Sequence, residues 1–189
     1  KADCGTGADC RVIPNQNTLC VATYQGDLAP NFMALGAQVT LIGPEGERTI
    51  DLSEFYQLDG MKKNVLLPGE FMLKVTLPKD SFDYTGSYQK LRVRESWDFP
   101  EAGVSAVWKK GDYSTLRIAS TALESIPKTH EEQVSPLAAA WQKGTSLSEL
   151  SDAVRKSVKP VNNTALPPNY RRSVVRILTK RALKNIGCE

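Results

Sequence analysis

GVSAVWKKGDYSTLRIASTAL, residues 103–123, is the stretch on which the fold turns. Two runs rich in β-branched and aromatic residues flank Lys110, Gly111 and Asp112, and such runs around a short Gly-containing turn predict a β-hairpin. Just upstream, SYQKLRVRES (87–96) reads as a third strand. Downstream the period changes. Residues 129–142, 147–158 and 169–186 carry apolar side chains at helical spacing, punctuated by Pro160, Pro167 and Pro168. Strands followed by a run of helices predict an α+β fold, a three-stranded antiparallel sheet packed with a helical bundle.

Upstream of these strands, LPGEFMLKVTLP (67–78) alternates Phe71, Leu73, Val75 and Leu77 and stops at Pro78. It reads as a strand opening a second unit over residues 65–189, after a composition shift at 58–64. In DLAPNFMALG (27–36), Asp27 can cap a short helix and Gly36 can take the positive φ that ends it. AQVTLIG, PEGE and RTIDL predict a hairpin, and SEFYQ another helical turn. Residues 1–20, KADCGTGADCRVIPNQNTLC, show no apolar period and read as a loop that needs a metal or disulfide constraint.

Composition bounds the function. The 189 residues allow one large domain, or one domain plus part of another. With 41% hydrophobic and 24% charged residues the chain has the composition of a globular protein. No apolar run approaches the roughly 20 residues that span a bilayer. A net charge of +3 does not demand a polyanionic partner. Position 1 is Lys1, as expected of a processed or excised fragment. Four cysteines are too few for a secreted disulfide scaffold of this size.

Chemistry is sparse. Cys4, Cys10 and Cys20 form C-x5-C-x9-C in a Gly-containing loop, a pattern open to an iron–sulfur cluster, to zinc or to unligated thiols. The sole histidine, His130, reads as a solvated residue at a helix start, and no catalytic triad is visible. Neither GxGxxG after a strand nor GxxxxGK[ST] occurs, which excludes a Rossmann nucleotide site and a P-loop on these residues. The last helix carries Arg171, Arg172, Arg176, Lys180, Arg181 and Lys184, a pattern read as a solvated face and not a nucleic-acid site.

Several blocks carry a resemblance. GDLAPNFMALGAQVTLIGPEGERTIDLSEFY, LLPGEFMLKVTLP, YQKLRVRESWDFPEAGVSAVW and NNTALPPNYRRSVVRILTKRAL are together similar to the FAD-binding medium subunits of the molybdenum hydroxylases, the xanthine and CO dehydrogenase flavoproteins. The similarity runs collinearly over nearly the whole chain, and the cysteine loop most resembles the beta subunits of 4-hydroxybenzoyl-CoA reductases. It implies the end of a flavin-binding domain at residues 1–57, with the cysteine loop at 1–20, followed by a CO dehydrogenase flavoprotein C-terminal-like domain at 65–189. The family's Gly-rich pyrophosphate loop has no counterpart here.

By the same resemblance Asp27, Met72 and Lys90 are FAD-binding positions. Asp27 would accept hydrogen bonds, Met72 would pack on the flavin, and Lys90 would stabilise the reduced ring. Each also has a structural reading: helix cap, buried strand side chain, exposed strand lysine. Cys4, Cys10 and Cys20 would ligate a [4Fe–4S] cluster whose fourth ligand lies outside this chain. Trp97 reads as an aromatic core residue and Asp98 as a turn former. The implied function is a cytoplasmic electron-transfer flavoprotein subunit of an aromatic-CoA reductase, isolated as an inactive fragment. A molybdopterin-binding large subunit and a [2Fe–2S] small subunit would be its partners in a hetero-oligomer. The alternatives are the FAD subunit of a xanthine, aldehyde or CO dehydrogenase, or a docking module without redox chemistry.

Overall fold

The computed structural model describes residue 10, residues 19–141 and residues 146–188. The first sheet is built from β1 (Gln38–Gly43), β2 (Gly46–Asp51) and β3 (Phe71–Thr76), in the order β2-β1-β3 and antiparallel throughout. The β1–β2 hairpin turns at Pro44 and Glu45, as the PEGE signal predicts. The strand at 71–76 corrects an expectation: it does not open a second unit but pairs with β1 and completes the first sheet. Local alternation identified the strand, but which strand it pairs with is a non-local matter. Glu70, just before it, forms a two-pronged ion pair with Arg48 of β2, both contacts at 2.8 Å, and accepts from the Leu67 amide. The arginine holds the Glu70 carboxyl down at about 2, so the PGE turn stays fastened to the sheet edge at neutral pH.

Two short helices, α1 (Leu28–Ala34) and α2 (Leu52–Phe55), cover this sheet. Ala29, Met33, Ala37, Val39, Leu41, Leu52 and Phe55 form its core. Gly36 takes φ +73°, and the Gly36 and Ala37 amides donate to Met33 and Phe32 carbonyls, the double bond that closes a helix in a left-handed cap.

The second sheet runs β4 (Thr85–Leu91), β5 (Ala102–Lys109), β6 (Asp112–Thr121) and β7 (Lys128–Thr129), also antiparallel. Its first three strands are those predicted from residues 87–123, and β7 adds two residues at the edge. β5 is buried along almost its whole length because both faces are covered. Ala102, Val104, Ala106 and Trp108 face α3 (Glu131–Ala139), α4 (Leu147–Ser157) and α5 (Pro168–Asn185), whereas Val107 packs with Ala34 and Ala119 toward α1. Leu150, Val154, Val175, Leu178 and Leu183 supply much of the helical side, each worth about 1.5–3 kcal/mol of burial. Trp108 Nε1 donates to the Ile186 carbonyl at 2.9 Å and closes the end of α5.

Three sequence expectations change here. His130 is not solvated but fully buried, with Ser157 Oγ at 2.8 Å from Nδ1 and Ser120 Oγ at 2.9 Å from Nε2. Because the Ser157 hydroxyl gives its proton to the Val154 carbonyl, Nδ1 must donate to Ser157 and Nε2 must accept from Ser120. The basic residues of α5 are only partly a solvated face. Arg171 is fully buried and donates to the Ala122 and Val161 carbonyls. Arg172, Arg176 and Lys180 reach the Arg155 carbonyl, Asp152 and Ser148 of α4, so they fasten two helices together. Trp97, expected in the core, is 96% exposed.

Candidate functional site

The extended segment before α1 is sewn onto the second sheet and the loop after α4. Tyr24 exchanges backbone bonds with Glu124 and Ala122, and Thr121 Oγ1 donates to the Gly26 carbonyl at 2.9 Å. Asn163 donates to the Val21 carbonyl at 2.8 Å and accepts from Thr23 at 2.6 Å, while Gln25 donates to the Pro100 carbonyl at 3.1 Å. The Glu101 carboxylate in turn accepts from the Thr164 hydroxyl and the Ala165 and Leu166 amides. Residue 27 is thereby held against the second sheet.

Asp27 uses that position for something other than capping. Its backbone is already helical (φ −84°, ψ −32°), and its side chain makes no bond to the first turn of α1. The carboxylate instead takes the Tyr88 hydroxyl on Oδ1 at 2.7 Å and the Lys90 ammonium on Oδ2 at 2.8 Å, both from β4. Lys90 also donates to the Asp98 carbonyl at 2.7 Å. Gly103, beside Tyr88 on β5, makes the contact feasible: a Cβ there would lie 2.5 Å from the Tyr88 hydroxyl. Burial and the adjacent carboxylate push the Tyr88 phenol well above its ordinary range, so it is a neutral hydrogen-bond donor throughout the physiological range.

The Asp27 side chain remains 43% exposed and that of Lys90 21%. They border a cleft of about 380 Å³ with Arg92, Glu95, Ser96, Trp97 and Asp98, and Asp27 also lines an adjoining apolar cleft of about 500 Å³ with Gln25, Gly26, Arg94, Trp97 and Phe99. Each Asp27 oxygen receives one described donor and keeps acceptor capacity toward solvent; the ammonium, with two bonds made, has one proton to give. Asp98 is the turn former expected of it: its carboxylate accepts from the Val93, Arg94 and Phe99 amides and from the Arg94 guanidinium, which depress its acidity range strongly.

Of the residues expected at a flavin, the fold brings Asp27 and Lys90 together from segments 63 positions apart. Met72 is elsewhere, opposite Leu41 on the edge strand β3, 39% exposed, and it lines neither cleft. Cys4 lies outside the described residues. Cys10 and Cys20 line one pocket of about 270 Å³ with Thr23, Gln25, Asn163 and Thr164. Among the described residues no group of three or more His, Cys, Asp or Glu side chains gathers as a metal ion would require, and none of the helices is long and apolar enough to cross a membrane. Sequence reasoning missed Tyr88 and the exposure of Trp97. The Y-x-K spacing on a strand, which puts both side chains on one face, was the available signal for Tyr88.

Residues 18–80 match the family model described as FAD binding domain in molybdopterin dehydrogenase. The matched segment contains Asp27 and Met72 but stops short of Lys90. The chain is 38% identical over 92 residues to the aldehyde oxidoreductase FAD-binding subunit PaoB of Escherichia coli, covering 47% of this chain and 29% of that one. It is 24% identical over 160 residues to the carbon monoxide dehydrogenase medium chain of Afipia carboxidovorans, covering 84% and 54%. The fold matches that in carbon monoxide dehydrogenase from Hydrogenophaga pseudoflava with a TM-score of 0.72 at 24% identity, over 84% of this chain and 55% of that one. The chain thus spans between about a third and about half the length of these relatives. The α+β expectation, with an antiparallel sheet packed by helices, holds in this likeness.

The donor set suits a flavin. A ring and ribityl chain present both N–H or O–H donors and carbonyl acceptors; Asp27 and Lys90 offer the complementary acceptor and donor in one cleft, and Asp27 also lines the adjoining apolar one.

Proposed function

We propose that this chain is the flavin-holding and adjoining C-terminal part of the FAD subunit of a molybdenum hydroxylase-type dehydrogenase, of the kind acting on aldehydes or carbon monoxide. The observation that carries the reading is the Asp27–Lys90 pair. It joins an aspartate inside the family-matched segment to a lysine outside it, at the edge of two clefts. When bound, FAD would supply the electron-accepting and electron-donating chemistry. This chain's residues would do the rest: Asp27 would accept from the ligand's N–H or O–H groups, Lys90 would place positive charge beside it, and Tyr88 would keep the carboxylate oriented. A molybdopterin-binding large subunit and a [2Fe–2S] small subunit are the proposed partners.

Isolation of the native protein tests this directly. It should carry flavin absorbance, and extraction should release FAD in about one equivalent per chain. Asp27→Asn and Lys90→Ala should each weaken FAD binding about tenfold or more, since each removes one contact of a charged group. Unaltered affinity in both variants would remove the pair from the flavin site.

One observation favours the narrower aromatic-CoA reductase reading: Cys10 and Cys20, ten positions apart, line the same pocket. If a [4Fe–4S] cluster sits there, anaerobically purified protein holds about four irons per chain, and Cys20→Ser loses them while retaining FAD. Protein with FAD and no iron on this chain selects the aldehyde or CO dehydrogenase reading.

A further inference from the structure

Trp97 is the most exposed large hydrophobic side chain among the described residues, 96% exposed, and Phe99 and Val93 of the same loop are exposed as well, Phe99 at 68%. An indole left in water forgoes the large burial that makes tryptophan a core residue. Yet the loop that carries it is not loose. The Asp98 carboxylate accepts from Val93 N at 3.2 Å, Arg94 N at 2.8 Å, Arg94 Nη2 at 2.9 Å and Phe99 N at 3.0 Å. Arg92 donates to the Ser96 carbonyl at 3.2 Å, and Lys90 ties the Asp98 carbonyl to Asp27. A backbone fixed by its own hydrogen bonds therefore holds an aromatic ring in solvent, at a defined place relative to the Asp27 carboxylate. The ring borders both clefts that Asp27 borders, and the apolar one includes Gly26, which adds no side chain to the space.

We propose that Trp97 is the stacking wall of the flavin cleft, supplied by a loop that lies outside the family-matched segment. The proposal rests on the FAD reading above and specifies which part of the ligand meets which residue: the flat ring lies against the indole, while the Asp27–Lys90 pair takes its polar edge. Fixing the backbone that carries the indole removes the loop-ordering cost that binding would otherwise pay, leaving only the indole's own rotamer to be ordered. Aromatic stacking of this kind is sequence-tolerant in the wall, so phenylalanine serves where alanine does not.

Titration of the native protein, stripped of its flavin, separates the possibilities. FAD, riboflavin and ADP are the probes, with quenching of flavin fluorescence as the signal and ADP followed by competition. Trp97→Ala should raise the dissociation constants of FAD and riboflavin alike, by about tenfold, and should diminish the quench of bound flavin, with ADP unaffected. Trp97→Phe should recover most of the affinity. Asp27→Asn should weaken binding but keep the quench, because the indole is still in place. If Trp97→Ala binds FAD with wild-type affinity and a wild-type quench, the stacking role is wrong while the FAD reading stands. A wild-type protein that takes up no flavin strikes the FAD reading itself, and this proposal with it.

Discussion

Tyr88 holds Asp27 at one oxygen while Lys90 holds it at the other. A carboxylate gripped twice presents its remaining lone pairs in a fixed direction, which is what a binding group must do. Tyr88→Phe keeps the ring and removes the donor, so FAD affinity should fall about tenfold. Its effect should vanish in an Asp27→Ala background, which removes the acceptor, because Tyr88 acts through that carboxylate. A double-mutant cycle measures this: equal losses in both backgrounds would mean that Tyr88 merely supports the fold. At this scale the resemblance singled out Asp27 and Lys90, two residues that the fold brings into contact, whereas side-chain type was misleading where it implied burial. Trp97 followed the composition rule that puts tryptophan inside, and a surface loop fixed by its neighbour Asp98 overrode that rule. Asp27 had the right residue type for a cap, but Tyr88 and Lys90, far away in sequence, offered better partners.

At the scale of elements, β7 and the α3 start are joined to α4 through His130, bridged between Ser120 and Ser157. Burial, with Lys128 nearby, depresses its pKa to about 3. The native state thus holds a neutral ring, whereas the unfolded chain protonates near 6.5. A depressed value stabilises the fold above pH 6.5, and that contribution drains away as the pH falls from 6.5 toward 3, by about 1.4 kcal/mol per pH unit. Urea unfolding midpoints between pH 7 and pH 4.5, above the ordinary range of most carboxylates, should show this slope in the wild type. His130→Asn should be less stable at pH 7 and flatter across the window. A wild-type profile without slope would contradict a neutral, buried His130 in the folded state. Helices and strands themselves were readable from period and punctuation; the Ser146–Glu149 capping box that starts α4 is a further local signal that the structure brings out. What period cannot supply is which charged residues face inward: Arg171, Arg172 and Arg176 lie on a stretch that reads as a solvated face until α4 and Ala122 come into contact with it.

The molecule as a whole depends on the segment 20–26 bridging its two sheets. Asn163 bonds that segment twice, from a loop some 140 positions away. Asn163→Ala should speed hydrogen exchange of the Val21 to Gly26 amides and lower FAD affinity, with the helical core protected as in the wild type. Exchange that is unchanged there would place the bridge's strength in the Tyr24 backbone bonds alone. Such pairings, like that of β3 with β1, are long-range and leave no local mark, which is why the partition at residues 58–64 looked natural in the sequence while the sheet runs through it. In the proposed flavin site, Lys90 of the second sheet completes what Asp27, just ahead of α1, begins. The FAD dissociation constant of Lys90→Met against wild type, with circular dichroism confirming the fold, tests this most directly. Lys90→Met should bind FAD about tenfold or more weakly with an unchanged fold; equal affinity in a folded Lys90→Met protein would remove Lys90 from the site.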